Sequence, residues 1–141
     1  MTDTQTARPL IVVGVDGSAQ GAKAVSWAVE QARLTGGTLE LLTAWALPVS
    51  YGLPIVVSVV DVEADAREIL AKAAADIDLP ADRVRTTLLN GAASTILVEH
   101  SRSADLLVVG SRGHNELAEL LLGSVSKYCV HHAKCPVVIV R

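Results

Sequence analysis

Val108-Val109-Gly110-Ser111-Arg112-Gly113, followed after nine further residues by Gly123-Ser124-Val125-Ser126, is the stretch on which the reading of this chain turns. An apolar run, Asp105 to Val109, leads into the first glycines, and a helical pattern, Gly123 to Ala133, leaves the second. Glycine lets a backbone turn sharply or approach a ligand with no Cβ in the way. A helix N-terminus presents unpaired backbone N–H groups and a partial positive charge. Strand, glycine turn and helix start together describe a cradle for phosphate. The chain carries 12 Lys and Arg against 15 Asp and Glu, so backbone amides rather than side-chain cations have to meet most of the anion's charge.

The same alternation of strand and helix runs through the rest of the chain. Leu10 to Val15 is a β-branched run bounded by Pro9 and by Asp16-Gly17-Ser18, which reads as a buried strand. Ser18 can cap the helix that follows. That helix sets Ala22, Val25, Ala28, Val29 and Ala32 at the spacing of one face and ends at Gly36-Gly37. Thr38 to Trp45 reads as a second strand. A second helix is expected from about Val59 to Ile77, with Val62, Ala66, Ile69, Leu70, Ala73 and Ile77 on one face and Leu79-Pro80 as its stop. Arg83 to Leu89 alternates Val84, Thr86 and Leu88 against Arg83, Arg85 and Thr87, the pattern of a half-exposed strand near a sheet edge. Ala92 to Ser101 is a short third helix. Asp105 to Val109 is a fourth strand, apolar throughout and therefore central. Gly123 to Ala133 is a fourth helix with Val125, Cys129 and His132 inward, and Pro136 to Val140 is a final strand.

Strands alternating with helices require right-handed crossovers and a parallel sheet covered on both faces, a single-domain, Rossmann-like α/β fold. The expected domain spans 1–141, with residues 1–8 outside its ordered part. Ligands of such sheets bind beyond the strand C-termini, where the winding direction reverses. The two glycine signals follow the first and fourth strands, so they face one crevice if those strands are neighbours.

Composition removes several classes of function. Half of the residues are hydrophobic and 19% are charged, which argues against disorder, and 141 residues suffice for one domain with a full core. Aromatics are 3% with no Phe, so the core is Val, Leu, Ile and Ala, and no set of rings is available to stack single-stranded bases. A net charge of -3 gives no basic face for general nucleic-acid binding. Cys129 and Cys135 do not suggest a disulfide framework, so a reduced, cytoplasmic setting is expected. Met1 to Pro9 is polar and lacks the apolar core of a secretion signal. Ala46 to Val60 is apolar but is broken by Pro48, Gly52 and Pro54 and is too short to span a bilayer. It lies just after the second strand, where it is either a lid on the crevice or a loop packed on the body or a partner.

Two familiar nucleotide motifs are missing. GxxxxGK[ST] does not occur, and the glycines after the first strand fall at 14, 17 and 21, which does not fit GxGxxG. The motifs that are present carry a resemblance. Val13-Gly14-Val15-Asp16-Gly17-Ser18, the Gly110 to Gly113 and Leu122 to Ser126 segments, and the closing Cys135-Pro136-Val137-Val138-Ile139-Val140 are similar to those of the universal stress protein family. The resemblance covers nearly the whole chain. Gly, two residues, Gly, nine residues, Gly-Ser resembles the signature of the family's ATP-binding branch.

The resemblance implies five parallel strands in the order 3-2-1-4-5, with four helices on the two faces, and ATP with Mg²⁺ as ligand. Asp16 matches the aspartate that contacts the nucleoside near adenine or ribose. A carboxylate at a strand end can accept from ribose hydroxyls or an amine, and its local alternative is an Asx turn. Gly110 and Gly113 would bring N–H groups against phosphates and ribose. Gly123 and Ser124 would present the helix N-terminus with Val125, and the Ser124 and Ser126 hydroxyls would add donors. Arg112 could reach phosphate or be a solvated loop arginine. Val15, Ala44 and Val109 sit at strand ends where an aliphatic wall for adenine would stand. Glu116 and Glu119 in the spacer would repel a triphosphate unless they point outward or hold Mg²⁺, which leaves ATP, AMP and cyclic AMP open.

His114 reads as a surface histidine and Lys127 as a solvated face. His131, His132, Cys129 and Cys135 offer no ligand pair at metal spacing, and His132 fits a helix end favoured by the dipole. Ser111 and His114 are close in sequence, but nothing orients them as a triad. With no P-loop lysine and no evident water-activating residue, the expectation is a regulatory stress-response module that binds an adenine nucleotide and is not a catalyst. The alternatives are a nucleotide-free dimeric interaction protein and a weak ATPase or cyclic AMP binder. The final strand, at a sheet edge in the family order, would pair two copies into a homodimer through Val137–Val140.

Overall fold

The computed structural model describes residues 7–47, 58–112 and 122–141. In chain order the elements are β1 (Leu10–Gly14), α1 (Ala19–Thr35), β2 (Thr38–Trp45), α2 (Val59–Ala75), a 3-10 turn (Ala81–Arg83), β3 (Val84–Asn90), α3 (Ala93–Ser101), β4 (Leu106–Gly110), α4 (Ser124–His132) and β5 (Val137–Val140). The sheet has five strands in the order β3-β2-β1-β4-β5. Every neighbouring pair is parallel. The expectations that fall on residues 1–6, 48–57 and 113–121 lie outside the described residues: much of the apolar segment 46–60, Gly113, His114, Glu116 and Glu119.

Side-chain alternation along the strands divides the core in two. Ile11, Val13, Leu39, Leu41 and Val108 point to one face and meet α1 and α2. Val12, Leu42, Leu107 and Val109 point to the other and meet α3 and α4 through Leu97, Val98 and Cys129. With no Phe and hardly a ring available, the close fit comes from small residues. The buried stripe of α1 is Gly21, Ala24, Ala28 and Ala32, which lets the helix lie close to the sheet. This corrects the face read from sequence: Ala22 is exposed, and Val25 and Val29 are only half-buried at the seam towards α2. Helical spacing fits both stripes, and the sheet takes the narrower one.

Ser18 caps α1 as expected, accepting from the Gly21 N–H at 3.0 Å. The helix ends at Gly36 in the left-handed region. The Arg83 guanidinium fastens that end to the start of β3, donating to the carbonyls of Ala32 and Gly37. On β2, Glu40 is a buried carboxylate, 3.1 Å from His100 Nδ1 on α3 and within reach of the Thr87 hydroxyl at 3.3 Å. Thr87 lies on the Glu40 face and is half-buried, while Thr86 is exposed, so burial along β3 does not follow the alternation read for it. In α4 Ser126 and Cys129 are buried, and Val125, expected inward, is half-buried against the same core as Cys129. His132, expected inward, is exposed, with its ring centroid 4.3 Å from that of Tyr128.

Burial, with the neighbouring Cys135 second, pushes the Cys129 thiol up from 9.0 to about 11. The fold favours the protonated thiol, so its contribution to stability is complete below pH 9 and is lost as pH rises towards 11. Denaturation midpoints measured from pH 8 to 11 should fall less steeply for Cys129→Ala than for the wild type; equal slopes would contradict this.

Candidate functional site

β1 and β4 lie side by side, with Ile11 opposite Leu106 and Val13 opposite Val108. The two glycine turns therefore leave the sheet at adjacent points. Beyond β1, the Val15 N–H still donates to the Leu42 carbonyl at 2.9 Å, and the chain then folds into a turn held by Asp16. The Asp16 Oδ1 accepts from the Ser18 N–H at 2.9 Å and from the Ser18 hydroxyl at 2.5 Å. The Asx turn and the crevice-lining position thus occur together in one residue. Beyond β4, the backbone of α1 comes so close to Gly110 that a Cβ there would lie 3.0 Å from the Gln20 carbonyl carbon. Any side chain at 110 would push the first turn of α1 away.

The other end of the long motif returns to the same place. Gly123 precedes α4 and offers no side-chain cap, and the Lys127 backbone N–H donates to the Gly123 carbonyl at 2.9 Å. The N–H groups of Ser124, Val125 and Ser126 come before that first bond, in the turn where a helix has no internal acceptors for its donors. α3 begins nearby at Ala93, after Ala92, again with no side-chain cap.

Between these elements lies a cavity of about 320 Å³, within the usual size of small-molecule sites. Val15, Asp16, Ala44, Val109, Gly110, Arg112, Gly123, Ser124, Val125 and Ser126 all line it. Each expected site residue that the structure describes is thus brought to one cavity; Gly113 lies outside the described residues. The walls divide chemically. Leu42, Ala44, Leu97 and Val109 form an aliphatic side, and Gly110, Arg112 and the start of α4 form a polar one. Asp16 and Arg112 are the charged residues among the described residues of the lining. A roomier groove of about 600 Å³ runs between α1 and α2, but its cations are already paired, Arg33 with Glu30 at 2.9 Å and Lys72 with Glu68 at 3.1 Å.

The Ser126 hydroxyl differs from expectation. It is buried and donates to the carbonyls of Ser111 at 3.1 Å and Gly123 at 3.0 Å, so its one proton is used within the protein.

Comparison with known proteins agrees with this geometry. The model of the universal stress protein family matches residues 9–141. The chain belongs to that family. A universal stress protein of Mycolicibacterium smegmatis is 34% identical over 139 residues, covering 93% of this chain and 47% of the relative. The chain thus spans about half the length of the curated relatives it matches. Among solved structures, a universal stress protein in complex with cAMP is 30% identical, with a TM-score of 0.73, covering 96% of this chain and 98% of its own. A universal stress protein of Archaeoglobus fulgidus in complex with dAMP is 22% identical, with a TM-score of 0.68, covering 95% and 98%; at that identity the likeness concerns the fold.

In this member of the universal stress protein family, sequence reading missed Gly14, Gly21, Leu42, Ala93 and Leu97 of the lining. Gly21 left a signal, since a glycine inside a helix costs roughly 0.5–1 kcal/mol relative to alanine and calls for a reason. The reason is steric: a Cβ at 21 would lie 2.7 Å from the Asp16 Oδ1. Gly21→Ala is therefore expected to lower the melting temperature by displacing the Asp16–Ser18 turn, against the gain that helix propensity alone gives. A rise in thermal denaturation would contradict the contact.

Proposed function

We propose that this cavity binds an adenine nucleotide, ATP with Mg²⁺, and that occupancy makes the protein a regulatory module rather than a catalyst. The observation that carries the reading is the convergence of the Gly110 turn and the uncapped start of α4 on one cavity that is also lined by aliphatic residues. Phosphate is met by amide N–H groups and the α4 dipole, with Arg112 as the side-chain cation that reaches the same wall. The base lies against Val15, Leu42, Ala44 and Val109, which supply contact area without needing rings. Asp16, fixed by its bonds to Ser18, stands at the strand end where a ribose hydroxyl can donate to it. Mg²⁺ would be held chiefly by the phosphates themselves.

Backbone and aliphatic groups position a ligand but move no protons, which favours binding over turnover. The cAMP complex of the relative at 30% identity supports the adenine nucleotide class. It also favours a second reading, in which cyclic AMP takes the place of ATP in the same cavity. The working form is a homodimer. β5 is a sheet edge whose four residues are half-buried, and an unpaired edge of this kind is satisfied by the same strand of a second copy. A cytoplasmic location fits two thiols left free. Among the described residues, no helix is long and apolar enough to cross a membrane.

Gentle purification, denaturation and identification of the released small molecule by chromatography and mass tests the reading. The expected result is an adenine nucleotide near one per chain, or saturable binding of added ATP, lost in Gly123→Val while the circular dichroism spectrum is kept. A protein that arrives empty and binds none of ATP, AMP or cyclic AMP would sink it.

A further inference from the structure

Three segments meet at Ser111. Its N–H donates to the Val140 carbonyl of β5 at 2.8 Å, and its own carbonyl accepts from the Gly123 N–H at 2.7 Å. The same carbonyl accepts from the Ser126 hydroxyl at 3.1 Å, and that hydroxyl also lies 3.0 Å from the Gly123 carbonyl. Ser111 is 7% exposed and Ser126 2%. Ser111 and Gly123 are thus tied together in a closed neck. A serine hydroxyl has one proton, so donating it to a phosphate would mean taking it away from both carbonyls. Each carbonyl would keep its backbone donor, the Gly123 N–H for Ser111 and the Lys127 N–H for Gly123, but the side-chain tie between the two segments would be lost.

We propose that Ser126 is a positioning residue for the cavity rather than a ligand of the phosphate. Its hydroxyl ties the end of β4 to the first turn of α4. The Gly110 turn and the N–H groups of Ser124 and Val125 are thereby held at a fixed separation before any ligand arrives. Preorganisation of this kind raises affinity by removing the cost of ordering the two sides on binding. Serine suits the position because a side chain in the first turn can bond back to the carbonyl three residues earlier, and here it reaches the Ser111 carbonyl as well. The role rests on the nucleotide reading given above.

The test uses the full chain labelled with ¹⁵N, hydrogen exchange of the Gly123 amide without nucleotide, and equilibrium binding with ATP, AMP and cyclic AMP as probes. In the wild type the Gly123 amide should be protected with no nucleotide present. Ser126→Ala should speed its exchange by about tenfold, leave the amides of β1 and β2 unchanged, and weaken nucleotide binding ~5–10-fold, the size of one lost hydrogen bond. Ser126→Thr, which keeps the hydroxyl, should recover both properties. Weaker binding with unchanged Gly123 exchange would make Ser126 a direct ligand and overturn the proposal. Faster exchange with unchanged affinity would overturn it too. If Ser126→Ala fails to fold, the wild type still decides, because an unprotected Gly123 amide contradicts a closed neck. A wild type that binds none of the three probes defeats the nucleotide reading, and with it the positioning role; a wild type that binds but lacks the protected amide defeats the neck alone.

Discussion

The parallel pairing of β1 with β4 is the constraint on which the site depends. The chain goes from β1 through α1 to β2 on one side, and from β4 through α4 to β5 on the other. At the junction the helices part to opposite faces, and the carboxyl ends of the two strands are left uncovered. Whatever follows those strands is forced to the rim of one crevice. Here that is the Asp16 turn after β1 and the Gly110 turn after β4, and both reach the same cavity. A shift in the register of β1 against β4 by one residue would turn their side chains to the wrong faces and separate the turns at the same time.

The chemistry of the site follows from a shortage of side chains able to do it. The lining has one cation, Arg112, and one carboxylate, Asp16, among its described residues. The remaining polarity is backbone and the hydroxyls of Ser124 and Ser126, and backbone donors can face a ligand only where the chain has nowhere else to spend them. The uncapped start of α4 supplies that condition. Close approach supplies the rest: Gly21 leaves room for the Asp16 carboxylate, and Gly110 leaves room for the first turn of α1. The bonds at Ser111 bring both ends of the long motif to a fixed separation and link them to β5. A nucleotide in the cavity and a partner on the β5 edge would therefore act on neighbouring parts of one hydrogen-bonded chain.

Most of the fold was legible in the sequence because the strands are short, β-branched and separated by strong breakers. Pro9, Asp16-Gly17-Ser18, Gly36-Gly37 and Leu79-Pro80 place boundaries that the structure keeps to within a few residues. The order of the strands came from the family resemblance, since alternation alone does not say which strands touch. What was misread has a common cause. Helical spacing in α4 accommodates His132 as well as Ser126 near Cys129, and hydropathy gives no reason to bury a serine. Only the carbonyls of Ser111 and Gly123, which the fold brings within reach, make that burial favourable. Thr87, on the same face as Glu40, is half-buried with its hydroxyl near that carboxylate. Leu97 and Ala93 were missed because the angle of α3 over the crevice is a property of the packed molecule.

The most direct measurement is a titration of the ¹⁵N-labelled chain with ATP and Mg²⁺, followed amide by amide. If the backbone cradle holds the phosphates, the largest shifts fall on Gly110, Arg112, Ser124 and Val125, with smaller ones at Val15 and Ala44 and none along the α1–α2 groove. Saturable shifts confined to Val25, Val29, Ile69 and Ala73, or no shifts at all, would contradict a nucleotide site at the carboxyl end of the sheet.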